Sequence, residues 1–115
     1  MELSGAGVVV TGAGNGIGRA MATRLAAEGA RVVVNDLDAD AAASVAASIG
    51  GFAAPGDAAG EEGVRTLIDI ATDCLGEIDV YCSNAGTGAG AGPDTPDAVW
   101  QQAWDVNLMA HVRAS

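Results

Sequence analysis

The sequence predicts an α/β fold: a parallel sheet with helices packed on its faces. Three observations carry this expectation. Short β-branched runs alternate with amphipathic helical stretches along the 115-residue chain. One of those runs, Arg31 to Asn35 (RVVVN), is nearly continuous valine, as in a strand buried on both sides. Half of the residues are apolar, mostly Ala and Val with few aromatics, which suits thin helix-on-sheet layers and argues against disorder. A chain of this length makes one domain, residues 1–115, burying roughly two-thirds of its unfolded surface.

The elements follow in order. Val8 to Thr11 (VVVT) reads as the first strand. A helix begins at about Ile17, with Ile17, Met21 and Leu25 at i, i+4 and i+8 as its buried stripe. Arg24 and Glu28 pair on its outer side, and Gly29 stops it. Arg31 to Asn35 is the second strand. Asp38 then opens an alanine-rich helix carrying Val45 and Ile49, closed by Gly50-Gly51. Phe52 to Ala54 makes a short third strand that ends at Gly56-Asp57. Val64, Leu67, Ile68, Ala71 and Leu75 mark the stripe of a third helix, ended by Gly76, and Asp79 to Ser83 (DVYCS) is the fourth strand. Asn84-Ala85-Gly86 and a glycine-rich loop lead to Pro93. Thr95-Pro96-Asp97 is a helix start, with Thr95 as N-cap and Pro96 at the first helical position. The last helix puts Trp100, Trp104, Asn107 and His111 on one stripe, with Val99, Ala103, Val106 and Ala110 on a neighbouring one.

Charge and composition narrow the functional classes. The formal charge of −10 argues against nucleic acid or an anionic membrane as partner, because both require basic patches. With no apolar run near eighteen residues and no basic leader, neither a membrane span nor a signal peptide is expected. Cys74 and Cys82 have no metal-ligand spacing and are too few for a disulfide framework, so two reduced cysteines in a cytoplasmic protein are expected, with no metal site. All five basic residues are arginines.

The first strand runs into Thr11-Gly12-Ala13-Gly14-Asn15-Gly16-Ile17-Gly18. This does not fit the G-x-G-x-x-G spacing of many dinucleotide loops, but it fits the same physics with a longer span, Thr-Gly-x-x-x-Gly-x-Gly. One glycine turns the chain out of the strand, one admits a pyrophosphate close to the backbone, and one lets the helix pack against the sheet. The helix start offers unpaired N–H groups and a positive dipole end to phosphates. A phosphate loop of the Gly-Lys-Ser/Thr type is excluded, because the chain has no lysine. A methyltransferase of similar fold remains compatible with the glycines alone. Asp36 follows the second strand, where an acid accepts hydrogen bonds from an adenosine ribose and repels a 2′-phosphate. Neither Asn15 in the loop nor Leu37 after the acid is basic, so NAD is expected in preference to NADP.

By Asn84-Ala85-Gly86 the chain resembles the short-chain dehydrogenase/reductase family over essentially its whole length. The features that agree are Thr11-Gly12 with Gly16-Ile17-Gly18, then Asp36, then Asp57-Ala58 after the third strand, then Asn84-Ala85-Gly86 after the fourth. Trp104-Asp105-Val106-Asn107 resembles the segment carrying the family's helix asparagine. Ser83 departs from the asparagine usual before the Asn-Ala-Gly motif. The resemblance implies a Rossmann-type doubly wound sheet, here its first four strands. It also implies a cofactor site made of Gly12, Asn15, Gly16, Ile17, Gly18, Asp36, Leu37, Asp57, Ala58, Asn84, Ala85 and Gly86. Asn107 would help to hold a proton-relay water, and a small alcohol or carbonyl would be the substrate of the complete enzyme. A homo-oligomer formed through the helix carrying Trp100 and Trp104 is the further expectation.

The family's tyrosine base needs a lysine four residues later to lower its pKa. The one tyrosine here, Tyr81, is followed at that spacing by Ala85 and reads as core, and Ser115 matches no catalytic serine. The 115 residues are therefore expected to be the N-terminal, cofactor-binding portion of a longer oxidoreductase and inactive by themselves. The alternative is a non-catalytic nucleotide-binding or interaction module.

Overall fold

The valine runs pair as expected in one parallel sheet. The computed structural model describes residues 2–86 and 96–114. Strands β1 (Gly7–Val10), β2 (Arg31–Val34), β3 (Phe52–Ala53) and β4 (Val80–Cys82) lie in the order β3-β2-β1-β4. Val8 sits opposite Val32 on one side and Val80 on the other, so β1 and β2 occupy the middle of the sheet. Helices α1 (Gly16–Ala27) and α2 (Ala39–Ile49) pack on one face, and α3 (Glu61–Leu75) packs on the other. A fourth helix, α4 (Asp97–Trp104), continues through a π-helical stretch, Asp105–Met109, into the short α5 (Ala110–Ala114).

The period-2 alternation of the strands divides the core between the two faces. Val8, Val10, Val32 and Val34 meet Ala22, Ala42 and Val45 on the α1/α2 side. Val9 and Val33 meet Leu67, Ala71 and Leu75 on the α3 side. Each buried valine contributes roughly 1.5–3 kcal/mol relative to exposure, which explains why consecutive valines stabilise a doubly covered strand. Cys82 packs with the first cluster and Cys74 with the second, and both are free thiols. Asp38 caps α2 by accepting the Ala41 N–H at 3.0 Å, and Gly50 closes it in the left-handed conformation. Arg24 and Glu28 pair at 3.0 Å on the exposed side of α1.

Several sequence expectations are corrected. In α1 the inward stripe is Gly18 and Ala22, backed by the partly buried Leu25 and Ala26, and Ile17 is 75% exposed. The glycine at 18 brings the helix so close to the sheet that the stripe is set one residue away from Ile17. The third and fourth strands are shorter than expected, because only Phe52–Ala53 and Val80–Cys82 complete ladder pairs. At the last helix Pro96 occupies the N-cap and Asp97 is the first helical residue. Thr95 and the glycine-rich loop, residues 87–95, lie outside the described residues. The last helix keeps the two stripes expected of it through the wide turn at Asp105–Met109: Val99, Val106 and Ala110 are partly or fully buried, and Trp104, Asn107 and His111 are exposed. The side chain of Trp100 lies outside the described residues. Among the described residues, no helix is long and apolar enough to cross a membrane.

Candidate functional site

The chain passes from β1 to β2 and β3 on one side, then returns to place β4 on the other side of β1. Loops leaving β1 and β4 must therefore diverge, and in open α/β sheets that divergence opens a crevice at the carboxyl ends of the strands. A cleft of about 450 Å³ lies there. Each strand end contributes to it: Gly12 after β1, Asp36 after β2, Asp57 after β3 and Ala85 after β4. Its size is within the range usual for small-molecule sites.

The β1 loop and the β4 loop are held together by Thr11. Its side chain is 1% exposed, and its Oγ1 accepts the N–H of Asn84 at 2.9 Å and that of Ala85 at 3.1 Å. Asn84 returns two donations from Nδ2, to the Thr11 carbonyl at 3.2 Å and the Gly12 carbonyl at 3.4 Å. Gly12 has a φ of +62°, and a Cβ there would stand 2.8 Å from the Ala85 Cα, so this crossing demands glycine twice over. A Cβ at Gly18 would collide with the Gly12 carbonyl, which is why α1 can start directly beneath the loop.

The opening of α1 is left bare. Asn15 occupies the N-cap without a side-chain capping bond, and the first turn carries no acidic residue. Its leading N–H groups have no intrahelical partner and sit at the positive end of the helix dipole. Gly16 has a φ of +56°, and a Cβ there would meet nothing within 4 Å. This glycine serves conformation, not packing.

Asp36 stands at the other side of the cleft. Its Oδ2 accepts the Gly14 N–H at 2.8 Å and its Oδ1 accepts the Asp38 N–H at 3.0 Å. Each oxygen keeps a lone pair for a further donor. Asn35, buried beside it, donates from Nδ2 to the carbonyls of Ala54 at 2.9 Å and Gly56 at 3.1 Å, fixing the turn after β3. Asp57 turns on itself by accepting the Ala59 N–H at 2.8 Å, and Ala58 and Ala59 are buried behind it. Arg113 of α5 donates to the Ala59 carbonyl at 2.6 Å and pairs with Asp105 at 3.5 Å, bracing this wall from the far side.

The structure thus gathers the sequence-predicted cofactor residues Gly12, Asn15, Ile17, Gly18, Asp36, Leu37, Asp57, Ala58, Asn84, Ala85 and Gly86 around one cleft. Gly16 borders it without lining it. Asn107 also stands apart, its Oδ1 lying 3.3 Å from where a Gly86 Cβ would be. Ile17 and Leu37, both more than two-thirds exposed, are apolar side chains left at the cleft. Sequence reasoning missed Gln102 and the walls made by Val106 and Ala110, although the last two stood on an apolar helical stripe that signalled an inward face. It also passed over Gly14 and Asn35 as site-building residues, and gave Thr11 only as the head of the glycine pattern. Among the described residues no cluster of His, Cys, Asp or Glu is arranged to hold a metal.

The family model described as short chain dehydrogenase matches residues 6–115. The chain belongs to the short chain dehydrogenase family. It is 38% identical over 120 residues to the 7alpha-hydroxysteroid dehydrogenase of Escherichia coli (strain K12), covering 100% of this chain and 47% of that protein. The crystal structure of a 3-ketoacyl-(acyl-carrier-protein) reductase from Brucella melitensis complexed with NADH superposes with a TM-score of 0.92 at 31% identity, over 97% of this chain and 48% of that one. A short chain dehydrogenase/reductase from Burkholderia phymatum in complex with NAD gives a TM-score of 0.94 at 29% identity, over 99% and 43% of the two chains. The chain spans about half the length of the curated relatives it matches. The four-stranded parallel sheet seen here is the Rossmann-type sheet of these neighbours over about half of their length.

Proposed function

We propose that this chain holds the dinucleotide in a short chain dehydrogenase that moves hydride between NAD(H) and an alcohol or carbonyl. The observation that carries the reading is the placement of the Asp36 carboxylate in the same cleft as the uncapped first turn of α1. When bound, the nicotinamide ring supplies the hydride donor or acceptor. Everything else falls to the chain's own residues. The N–H groups opening α1 receive a pyrophosphate, with Gly16 giving the backbone its left-handed turn, Gly12 letting the loop pass against Ala85 and Gly18 letting α1 start against the loop. Asp36 accepts from a ribose diol with its two remaining lone pairs. Leu37, Ile17 and Ala58 offer apolar surface to the rings. Asn84, Ala85 and Gly86 form the wall on the β4 side, and Asn107, next to Gly86, is the proposed anchor of a proton-relay water.

The cleft's described lining contains Asp36 and Asp57 and neither Arg nor Lys. A 2′-phosphate placed on Asp36 would meet a like charge with no cation to offset it. At about 4 Å that repulsion is roughly 1 kcal/mol per unit charge in water and about 4 kcal/mol at an effective dielectric near 20. NAD is therefore the proposed cofactor over NADP. With no lysine in the sequence and the Tyr81 hydroxyl buried, the chain holds the cofactor without itself supplying the tyrosine–lysine acid/base pair. In the same reading the exposed Trp104 on α4 faces a second copy, and the free thiols of Cys74 and Cys82 suit a reducing cytoplasm.

Fluorescence titration of the purified chain tests the assignment. NADH binds at least about tenfold more tightly than NADPH, following the repulsion above. Asp36→Ala brings the two affinities to within a few-fold, mainly by weakening NADH. Equal binding of both by the unaltered chain overturns the role of Asp36.

A further inference from the structure

We infer that Gly14 is a positioning residue for dinucleotide choice, holding the Asp36 carboxylate in the attitude that reads a ribose. This rests on the reading of Asp36 given above and adds a second determinant to it. The glycine pattern that marks the loop, Thr11-Gly12 with Gly16 and Gly18, leaves position 14 open to any residue. The backbone does not require glycine there either, because Gly14 is absent from the positive-φ glycines. What requires it is space. A Cβ at position 14 would lie 2.7 Å from Asp36 Oδ2 and 2.8 Å from the Ala41 Cβ.

The two contacts differ in how they can yield. Ala41 sits in the first turn of α2, and its N–H is tied to the Asp38 cap at 3.0 Å, so its Cβ moves only with the helix. The carboxylate is the end of a side chain and can swing. A methyl group at position 14 therefore displaces Asp36. The same residue also pulls the carboxylate in, since the Gly14 N–H donates to Oδ2 at 2.8 Å while the Asp38 N–H donates to Oδ1 at 3.0 Å. With one donor on each oxygen, the carboxylate cannot rotate about its terminal bond without losing both.

The loop's amides consequently divide their work. The Ala13 N–H is spent on the Asn35 carbonyl at 2.9 Å, and the Gly14 N–H is spent on Asp36. The amides left for an anion are those that open α1. Gly14 thus acts through the acid on the ribose end of the cleft, leaving the pyrophosphate end to other amides.

The test compares NADH and NADPH dissociation constants of the chain carrying Gly14→Ala, Asp36→Ala or both. A displaced carboxylate loses its grip on the ribose and its repulsion of a 2′-phosphate. Gly14→Ala should therefore weaken NADH about tenfold, leave NADPH unchanged or tighter, and cut the NADH preference by about tenfold or more. In the Asp36→Ala background the same methyl should leave the ratio unchanged. A loop that is merely loosened would weaken both cofactors alike, so an unchanged ratio in Gly14→Ala overturns the inference, as does a further fall in the double variant. These outcomes are distinct from failure of the Asp36 reading, which shows in the unaltered chain as equal binding of both cofactors. Should the methyl prevent folding, amide hydrogen exchange answers instead. The Gly14 N–H should exchange at least about tenfold faster in Asp36→Ala than in the unaltered chain, and equal rates overturn the inference.

Discussion

Replacing Thr11 by valine separates a hydrogen-bonding role from a packing role at the junction of the two loops. Valine keeps the volume and the β-branch, so the 1%-exposed site stays filled. It removes the oxygen that accepts the N–H groups of Asn84 and Ala85 at 2.9 and 3.1 Å. The third contact, from the hydroxyl to the Cys82 carbonyl at 3.5 Å, is at the limit of bonding distance and adds little. A buried donor left unmet costs about 1–3 kcal/mol, and since both bonds are only part-buried the low end applies to each, giving about 2–3 kcal/mol. Thr11→Ser keeps the oxygen and deletes one methyl, for about 1 kcal/mol. Thermal unfolding followed by circular dichroism reads the difference, at roughly 4 °C per kcal/mol for a domain of this size. Thr11→Val should thus melt about 8–12 °C below the unaltered chain and clearly below Thr11→Ser. A valine variant as stable as the serine variant, or more so, would refute the hydrogen-bonding account of this junction.

Ile17→Ala separates a ligand-facing role from a core role. With Ile17 75% exposed, stability should change by no more than about 0.5 kcal/mol, while NADH titration should show weakened binding. A loss of several kcal/mol in urea unfolding would return Ile17 to the core. Tyr81 gives a pH prediction. Burial raises its pKa above the ordinary 10.0, and its hydroxyl is buried with no hydrogen-bond partner among the described residues. The neutral phenol is the form the fold prefers, so its contribution is present below pH 10 and is lost as pH rises through the folded-state value. Tyr81→Phe should be neutral or stabilising by about 1–2 kcal/mol at pH 7 and should lessen the alkaline decline. Some decline remains, since burial also pushes the Cys82 thiol above its usual 9.0. A phenylalanine variant that is markedly less stable at pH 7 would mean that the hydroxyl has a partner.

Much of the fold was legible because each strand and helix is patterned by burial on known faces. The valine runs, the Asp38 cap and the stops at Gly50 and Gly76 all stand where periodicity and capping place them. The site was legible where chemistry depends on residue type, as at Asp36 and the paired loops at Gly12 and Asn84. What escaped reading depends on distances between chain segments far apart in sequence. Ile17 has the spacing of a core residue, but the close approach of Gly18 to the Gly12 carbonyl turns the helix so that Ala22 faces the sheet. Thr11 is legible as the head of the glycine pattern but not as the tie between two loops, and Gly14 looks ordinary in sequence; both roles appear only when Asn84 and Asp36 arrive beside them. The wide turn at Asp105–Met109 has no local signature, although the two stripes read there, Val106 with Ala110 and Trp104 with Asn107 and His111, stay on separate sides.

The most direct test of the account is a crystal structure of the chain soaked with NADH. The dinucleotide should lie in the cleft with its pyrophosphate against the N–H groups that open α1 and its adenosine ribose hydroxyls within hydrogen-bonding distance of both Asp36 oxygens. A dinucleotide bound elsewhere, or one in this cleft whose adenosine ribose does not touch Asp36, would contradict it.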